Sequence, residues 1–302
     1  MKNIFIYLLF LSIITGVCIF FSEELSDIYY NFIYSMEKNK IVLTSNEYYK
    51  DKQFSFVQTT DNFEPHNSQD IINIFYTVIN SGQNSFTFFC PNDYSNCTND
   101  VKELASDQTR LSHINNFVHP YNGFKHIEIQ YTSSGKVDIN ITKNYTQEEI
   151  ELINEKVDSI YDSVVSKQET TIDKIRAAHD YIINGSKYDS ARSDFNIIKY
   201  KSDIAYGPLF QGYGICGGYS DAMILFLDKI GVDNFKVSSS HHVWNVVYVN
   251  NRWYHLDLTW DDPITSDGSD VLQDEFFLLT SDQIIQKGGA EHIFDKTIYS
   301  EL

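Results

Sequence analysis

Three residue types that together can carry out thiol acyl transfer occur in one stretch of the chain. Cys216 lies in GYGICGGYSDAM, His242 in HHVWN and Asp257 in HLDLTW. A thiolate can attack a carbonyl carbon, and an imidazole can take the thiol proton and return it to a leaving amine. A carboxylate can orient that imidazole and stabilise its protonated form. These residues predict Cys216 as nucleophile, His242 as general base and acid, and Asp257 as the support of the imidazolium.

The nucleophile needs a position where its thiolate is stabilised. An apolar run follows Cys216 and stops at Gly231, which predicts a helix that begins near the cysteine. The backbone dipoles at a helix N-terminus favour the thiolate form. A cysteine beside glycines also occurs as a small packed residue, so the segments that carry His242 and Asp257 are needed for the functional interpretation.

His242 and Asp257 are predicted to meet across a β-hairpin. Strands are predicted over His242–Val249 and Arg252–Leu258, with Asn250-Asn251 as a two-residue turn between them. In this register His242 and Asp257 are diagonal neighbours on one face, about 7–8 Å apart at Cα. A three-residue loop would place them on opposite faces.

The remaining predicted site residues surround these three. The Cys216 backbone N–H would donate one hydrogen bond to the oxyanion, and either Gln211 or Tyr213 would donate a second. Trp244 and Trp260 are predicted to form the cleft walls. Gly217 would let the substrate approach the start of the helix closely.

Other chemistries fit these residues less well. His255 shares the predicted face of Asp257 and is a rival base, whereas His241 falls on the opposite face. A zinc site at Cys216 and His242 would lack a second cysteine or a close histidine pair. The acidic residues that follow Asp257 lack the spacing of a known calcium loop. We therefore predict no metal and no cofactor.

The sequence GYGICGGYSDAM, followed by HVWNVVYVNNRWYHLDLTWDDP, resembles the transglutaminase-like superfamily, in particular its bacterial branch. The resemblance covers about 171–295. It implies an α+β, papain-like core in which a helix bearing the cysteine packs on an antiparallel sheet. It also implies a triad at Cys216, His242 and Asp257, and a protein or peptide substrate. Members include cross-linking enzymes, peptidases, amidases and forms without catalysis.

The resemblance and the hydropathy pattern divide the chain into four parts. Residues 4–21 carry no charge and can span a bilayer core of about 30 Å, so we interpret 1–21 as a transmembrane signal anchor. The alternatives are a cleaved signal peptide and a buried core helix. Residues 22–65 are a predicted stalk or irregular segment. A small α/β module of unknown role is predicted over 66–145, and the catalytic domain over 146–302.

Export is the expected consequence of this organisation. An uncleaved anchor places the C-terminal domain outside the cell, on the membrane; a cleaved signal would give a secreted protein. In an oxidising compartment Cys90 and Cys97 could form a disulfide, and the alternative is two unrelated free thiols.

The net charge favours a soluble ectodomain and indicates no nucleic-acid partner. The formal charge is −18, whereas nucleic-acid binding requires a basic surface. Two functions fit the sequence. One is an exported thiol enzyme that acts on protein or peptide amides, and the other is a non-catalytic surface scaffold that binds peptides in the same cleft.

Overall fold

A computed structural model describes residues 43–132, 135–264 and 273–302, together with 7, 10–16, 19, 28, 29, 32 and 36. No helix within these residues has both the length and the apolar character needed to cross a bilayer. The predicted anchor over 1–21 and the first half of the predicted stalk fall largely outside the described residues.

The N-terminal module is a three-stranded antiparallel sheet covered by helices. Its strand order is β1-β3-β2. Its elements are α1 (Ser68–Asn80), β1 (Ser85–Phe89), α2 (Cys97–Ser106), α3 (Gln108–Asn116), β2 (Phe124–Tyr131) and β3 (Lys136–Lys143). The pattern over 101–117 predicts one helix, but the structure has two. The Asp107 side chain accepts a hydrogen bond from the Arg110 backbone N–H and thereby starts the second helix.

Two supporting helices follow, as the apolar periodicity predicts. They are α4 (Gln147–Ile160), which continues into a π turn at Tyr161–Val165, and α5 (Thr171–Asn184). Thr146 and Glu149 form a capping box at the start of α4. A connection then leads to the nucleophile through β4 (Lys187–Tyr188), α6 (Ser190–Phe195), a π turn (Gly207–Gln211) and β5 (Tyr213–Gly214).

The helix that begins at the cysteine packs on a second antiparallel sheet. These elements are α7 (Cys216–Ile230), β6 (Asn234–Ser238), β7 (Val243–Val249), β8 (Arg252–Leu256), α8 (Leu258–Asp261), α9 (Ser281–Gly288) and a 3-10 turn (Gly289–His292). The strand order is β6-β7-β8. This is the helix-on-sheet arrangement that the resemblance implies.

The hairpin between β7 and β8 has the predicted register, with Val249 opposite Arg252 and Asn245 opposite Leu256. Asn250 and Asn251 have φ values of 51° and 61°, the left-handed conformation that a two-residue turn requires. Both strands are shorter than predicted.

Two hydrophobic cores lie on either side of the second sheet. One contains the N-terminal module together with Phe235, Trp244 and Val246. The other contains α4, α5 and α7 together with Val247 and Leu256. The ring of Phe117 in the N-terminal module stacks on Phe235 with centroids 5.1 Å apart. The first core is thus continuous across the predicted boundary between residues 145 and 146.

Cys90 and Cys97 form a disulfide bond. The structure therefore selects this alternative over two free thiols. The bond connects the end of β1 to the start of α2, and both residues are buried.

Candidate active site

Cys216 is the first residue of α7 and is partly exposed, and it is the free cysteine of the described part of the chain. The chain that precedes Cys216 packs so closely on the start of α7 that it explains the two glycines after the cysteine. A Cβ on Gly218 would lie 2.2 Å from the Ser202 carbonyl oxygen, and one on Gly217 would lie 3.0 Å from that of Asp203. Only glycine lets this loop pack against the first helical turn and leave the thiol at the surface.

His242 lies just before β7, where the Ser239 hydroxyl accepts a hydrogen bond from its backbone N–H at 3.2 Å. Its Nε2 is 2.5 Å from Asp257 Oδ2, and its side chain also forms a hydrogen bond with Cys216. Because Nε2 is hydrogen-bonded to Asp257, the ring nitrogen that remains to bond with the Cys216 thiol is Nδ1. Burial opposes protonation, but the Asp257 carboxylate and then Cys216 raise the pKa of His242 to about 10.

Asp257 is only 1% exposed and accepts four hydrogen bonds. Oδ1 accepts from the backbone N–H groups of Thr259 and Trp260 at 3.0 and 3.4 Å. These bonds begin α8, which explains why β8 ends at Leu256. Oδ2 accepts from His242 and from His292, the latter at 2.8 Å. Burial alone would raise the pKa of Asp257, but the two histidines hold it well below its usual range.

His292 is a site residue that the sequence interpretation missed. It lies 35 residues after Asp257, in the turn that follows α9, and it is completely buried. No flanking motif or spacing in the sequence connects it to the other three residues. Its contact with Asp257 arises from the way the C-terminal segment packs against the sheet.

Potential metal-ligand atoms of His242, Asp257 and His292 lie within 4.8 Å of one another. The two imidazoles approach the same carboxylate oxygen at 2.5 and 2.8 Å, which are hydrogen-bond lengths. Zinc binds such atoms at about 2.0–2.2 Å each in a tetrahedral arrangement, so a shared zinc would hold them further apart. The observed geometry fits proton sharing.

The cysteine opens into a cleft of about 480 Å³. Trp260 lines this cleft, in agreement with its predicted position. Apart from Cys216 and His242, the remaining wall residues were not predicted from the sequence, and they come from four separate segments. The cleft is lined by Tyr188, Ser193, Cys216, His241, His242, Thr259, Trp260, Asp262, Pro263, Ile264 and Glu291.

The structure corrects the predicted cleft positions of four residues. Trp244 has no exposed surface and stacks beneath His242, so it is a core residue and not a cleft wall. The described residues that line the cleft do not include Gln211, Tyr213 or Gly217. The Gln211 side-chain oxygen instead accepts a hydrogen bond from the Lys201 backbone, and Tyr213 stacks on Tyr200.

His255, the rival base, also takes a structural position. Its Nδ1 accepts the indole N–H of Trp244 at 2.9 Å, and its Nε2 lies 3.0 Å from the Ser281 hydroxyl. Burial, together with the nearby His292, lowers the pKa of His255 to about 3. Both ring nitrogens are engaged away from the cleft, whereas His242 reaches Cys216.

Comparison with known proteins finds similarity in this region. The family model described as Transglutaminase-like superfamily matches residues 158–258. No curated protein matches the chain. A solved structure described as a TGase is 17% identical with a TM-score of 0.33, and the match covers 45% of each chain. A candidate cysteine protease from Cytophaga hutchinsonii is 15% identical with a TM-score of 0.29, over 49% of this chain and 65% of that one.

The match with the TGase structure covers only part of both chains, and this chain spans less than half of that structure. The family match includes Cys216, His242 and Asp257. Residues 158–258 are therefore similar to the Transglutaminase-like superfamily.

Proposed function

We propose that the protein is a thiol enzyme that cleaves or transfers protein or peptide amides through an acyl-enzyme on Cys216. The observation that carries the proposal is the hydrogen-bonded series from Cys216 through His242 to Asp257 at an open cleft. A peptide-binding scaffold would not require a partly exposed thiol in contact with an imidazole.

In the proposed reaction the Cys216 sulfur attacks the amide carbon and its proton resides on His242. The developing oxyanion accepts a hydrogen bond from the Cys216 backbone N–H at the start of α7. His242 then donates the proton to the leaving amine, and the acyl group stays on sulfur. Water or a second amine then attacks the thioester carbon and gives its proton to His242, and the C–S bond breaks to release the Cys216 thiolate. Attack by water completes hydrolysis, whereas attack by an amine completes transamidation.

The test uses the full chain, casein as a glutamine-containing protein and a fluorescent primary amine. Covalent incorporation of the amine would identify transamidation; ammonia or new peptide N-termini without incorporation would identify hydrolysis. Cys216→Ala should lose either activity by at least about 100-fold, because the nucleophile is absent. A folded Cys216→Ala protein that keeps the activity would refute the proposal. A wild-type protein that binds casein without changing it would favour the scaffold.

We further propose that the enzyme is exported and anchored to the membrane. The charge-free segment 4–21 and the disulfide between Cys90 and Cys97 support this location, because such bonds persist in oxidising compartments. Protease added to intact cells should degrade the folded domain. Protection of the domain until the cells are lysed would contradict export.

A further inference from the structure

We propose that His292 is a positioning residue that holds the Asp257 carboxylate in place for His242. This inference rests on the proposed function, because it assigns His292 a role in the same site. His292 itself does not line the cleft and would not touch the substrate.

The first supporting observation is the shared oxygen. Asp257 Oδ2 accepts from His292 Nε2 at 2.8 Å and from His242 Nε2 at 2.5 Å. Asp257 follows the end of β8, and its backbone N–H donates to the Phe276 carbonyl at 3.1 Å. The backbone is therefore held, and the orientation of the side chain depends on the hydrogen bonds of its own two oxygens. Hydrogen bonds to a buried carboxylate are strong and directional, and four of them leave the Asp257 side chain one orientation.

The second observation is the hydrogen bonding of the His292 ring. Its Nδ1 is buried and has no hydrogen-bond partner in the described structure. Nε2 is therefore the ring nitrogen that has a partner, and that partner is the Asp257 carboxylate. A rotated or displaced ring would leave the buried Nε2–H donor without its acceptor, which is costly, so this contact fixes the ring and the carboxylate together.

The third observation is that the surroundings are shaped to hold this ring. It stacks on Phe276 with centroids 5.3 Å apart, and Trp244 and Trp260 lie at 4.9 and 5.0 Å. A Cβ on Gly288 would lie 1.8 Å from His292 Nδ1, so only glycine there leaves room for the ring. The same ring contacts Trp260, which also lines the cleft.

The experiment compares three substitutions of His292 that differ in whether a side-chain N–H can reach Asp257. His292→Phe fills the aromatic space and removes the N–H. His292→Asn keeps an amide that is too short to reach Asp257, whereas His292→Gln carries an amide N–H near the position of Nε2. His113→Phe is the control, because His113 is also buried but bonds to Tyr299 away from the cleft.

The first readout is the alkylation rate of Cys216 by iodoacetamide at neutral pH, which needs no amide substrate. We expect His292→Phe and His292→Asn to lower the rate about tenfold, as expected for the loss of a charge-assisted hydrogen bond. His292→Gln should remain within about twofold of wild type, as should His113→Phe. Equal rates in Asn, Gln and wild-type proteins would overturn the proposal, even if His292→Phe does not fold.

The second readout is the low-field proton NMR spectrum, which a packing role alone would not change in this way. The wild-type protein should show low-field imidazole N–H resonances from His242 and His292, beside those of His179, which bonds to Asp180 and Asp261. His292→Asn should lose the His292 resonance, shift that of His242 and leave those of His179 in place; an unshifted His242 resonance would overturn the proposal. If wild-type protein shows no amide activity, the proposed function fails while this spectrum still tests the His292 contact.

Discussion

The sharpest consequence of this geometry concerns Asp257→Asn, which preserves side-chain size but replaces one oxygen with an NH₂ group. Each carboxylate oxygen faces two N–H donors: Thr259 and Trp260 on one side, His242 and His292 on the other. In either orientation of the asparagine amide, its NH₂ group therefore faces two N–H donors and can accept from neither. The backbone donors cannot move without unwinding α8, so we expect the NH₂ group to face the imidazoles.

The size of the expected loss of kcat in Asp257→Asn follows from the negative charge that the Asp257 carboxylate supplies. Burial lowers the pKa of His242, and Asp257 is the main group that nevertheless raises it to about 10. Without the carboxylate, burial should hold the pKa of His242 at or below the ordinary value of about 6.5. At pH 8 the imidazolium fraction would fall from about 0.99 to at most about 0.03, a loss of at least about 30-fold.

The assay is amide turnover at pH 8, with Asp158→Asn as the matched control. Asp158 is an exposed carboxylate that pairs with Lys229 outside the site, so its substitution should change kcat by less than about twofold. We expect Asp257→Asn to lower kcat at least about 30-fold. A folded Asp257→Asn protein that retains more than about a third of wild-type kcat would refute the assignment.

Three further predictions follow from the same contacts. Because the pKa of His242 is raised to about 10, its protonated form is nearly complete up to about pH 8 and is half lost near pH 10, so wild-type kcat should be half lost near pH 10; a half-loss below pH 8 would contradict this. Replacing both Cys90 and Cys97 with Ser should lower the free energy of unfolding by about 2–3 kcal/mol in urea titrations, since the bond closes a loop between residues seven apart; an unchanged midpoint would argue against the disulfide. Trp244→Ala should cost about 3–5 kcal/mol of stability as a core substitution, whereas Trp260→Ala should mainly raise KM; the reverse pattern would restore the cleft-wall interpretation of Trp244.

Local sequence patterns were sufficient to predict the elements that carry Cys216, His242 and Asp257. The two-residue turn at Asn250-Asn251 permits one pairing of the flanking strands, and that pairing is observed. The helix that begins at Cys216 was predicted from an apolar run and a terminal glycine, and Gly231 ends it with a φ of +83°. Short-range geometry determines these features, so they could be inferred without the fold.

Tertiary packing determines the parts that could not be predicted. Trp244 and His242 lie on the same face, as alternation predicts, but the pattern does not reveal that other segments cover the tryptophan. His292 is among these covering residues, with its ring 4.9 Å from Trp244. The end of β8 at Leu256 was missed because the Asp257 side chain starts a helical turn in place of continuing the strand. Each outcome depends on contacts between residues distant in sequence or on a side-chain cap.

The central claim is that Cys216 forms an acyl-enzyme, and an activated ester tests this without knowledge of the natural substrate. The full chain would be mixed with p-nitrophenyl acetate, quenched in acid and mapped by mass spectrometry. We expect a burst of nitrophenolate equal to the enzyme concentration and a hydroxylamine-labile acetyl group on Cys216, both absent from Cys216→Ala. A folded wild-type protein without acetyl on Cys216, or an equal burst from Cys216→Ala, would contradict it.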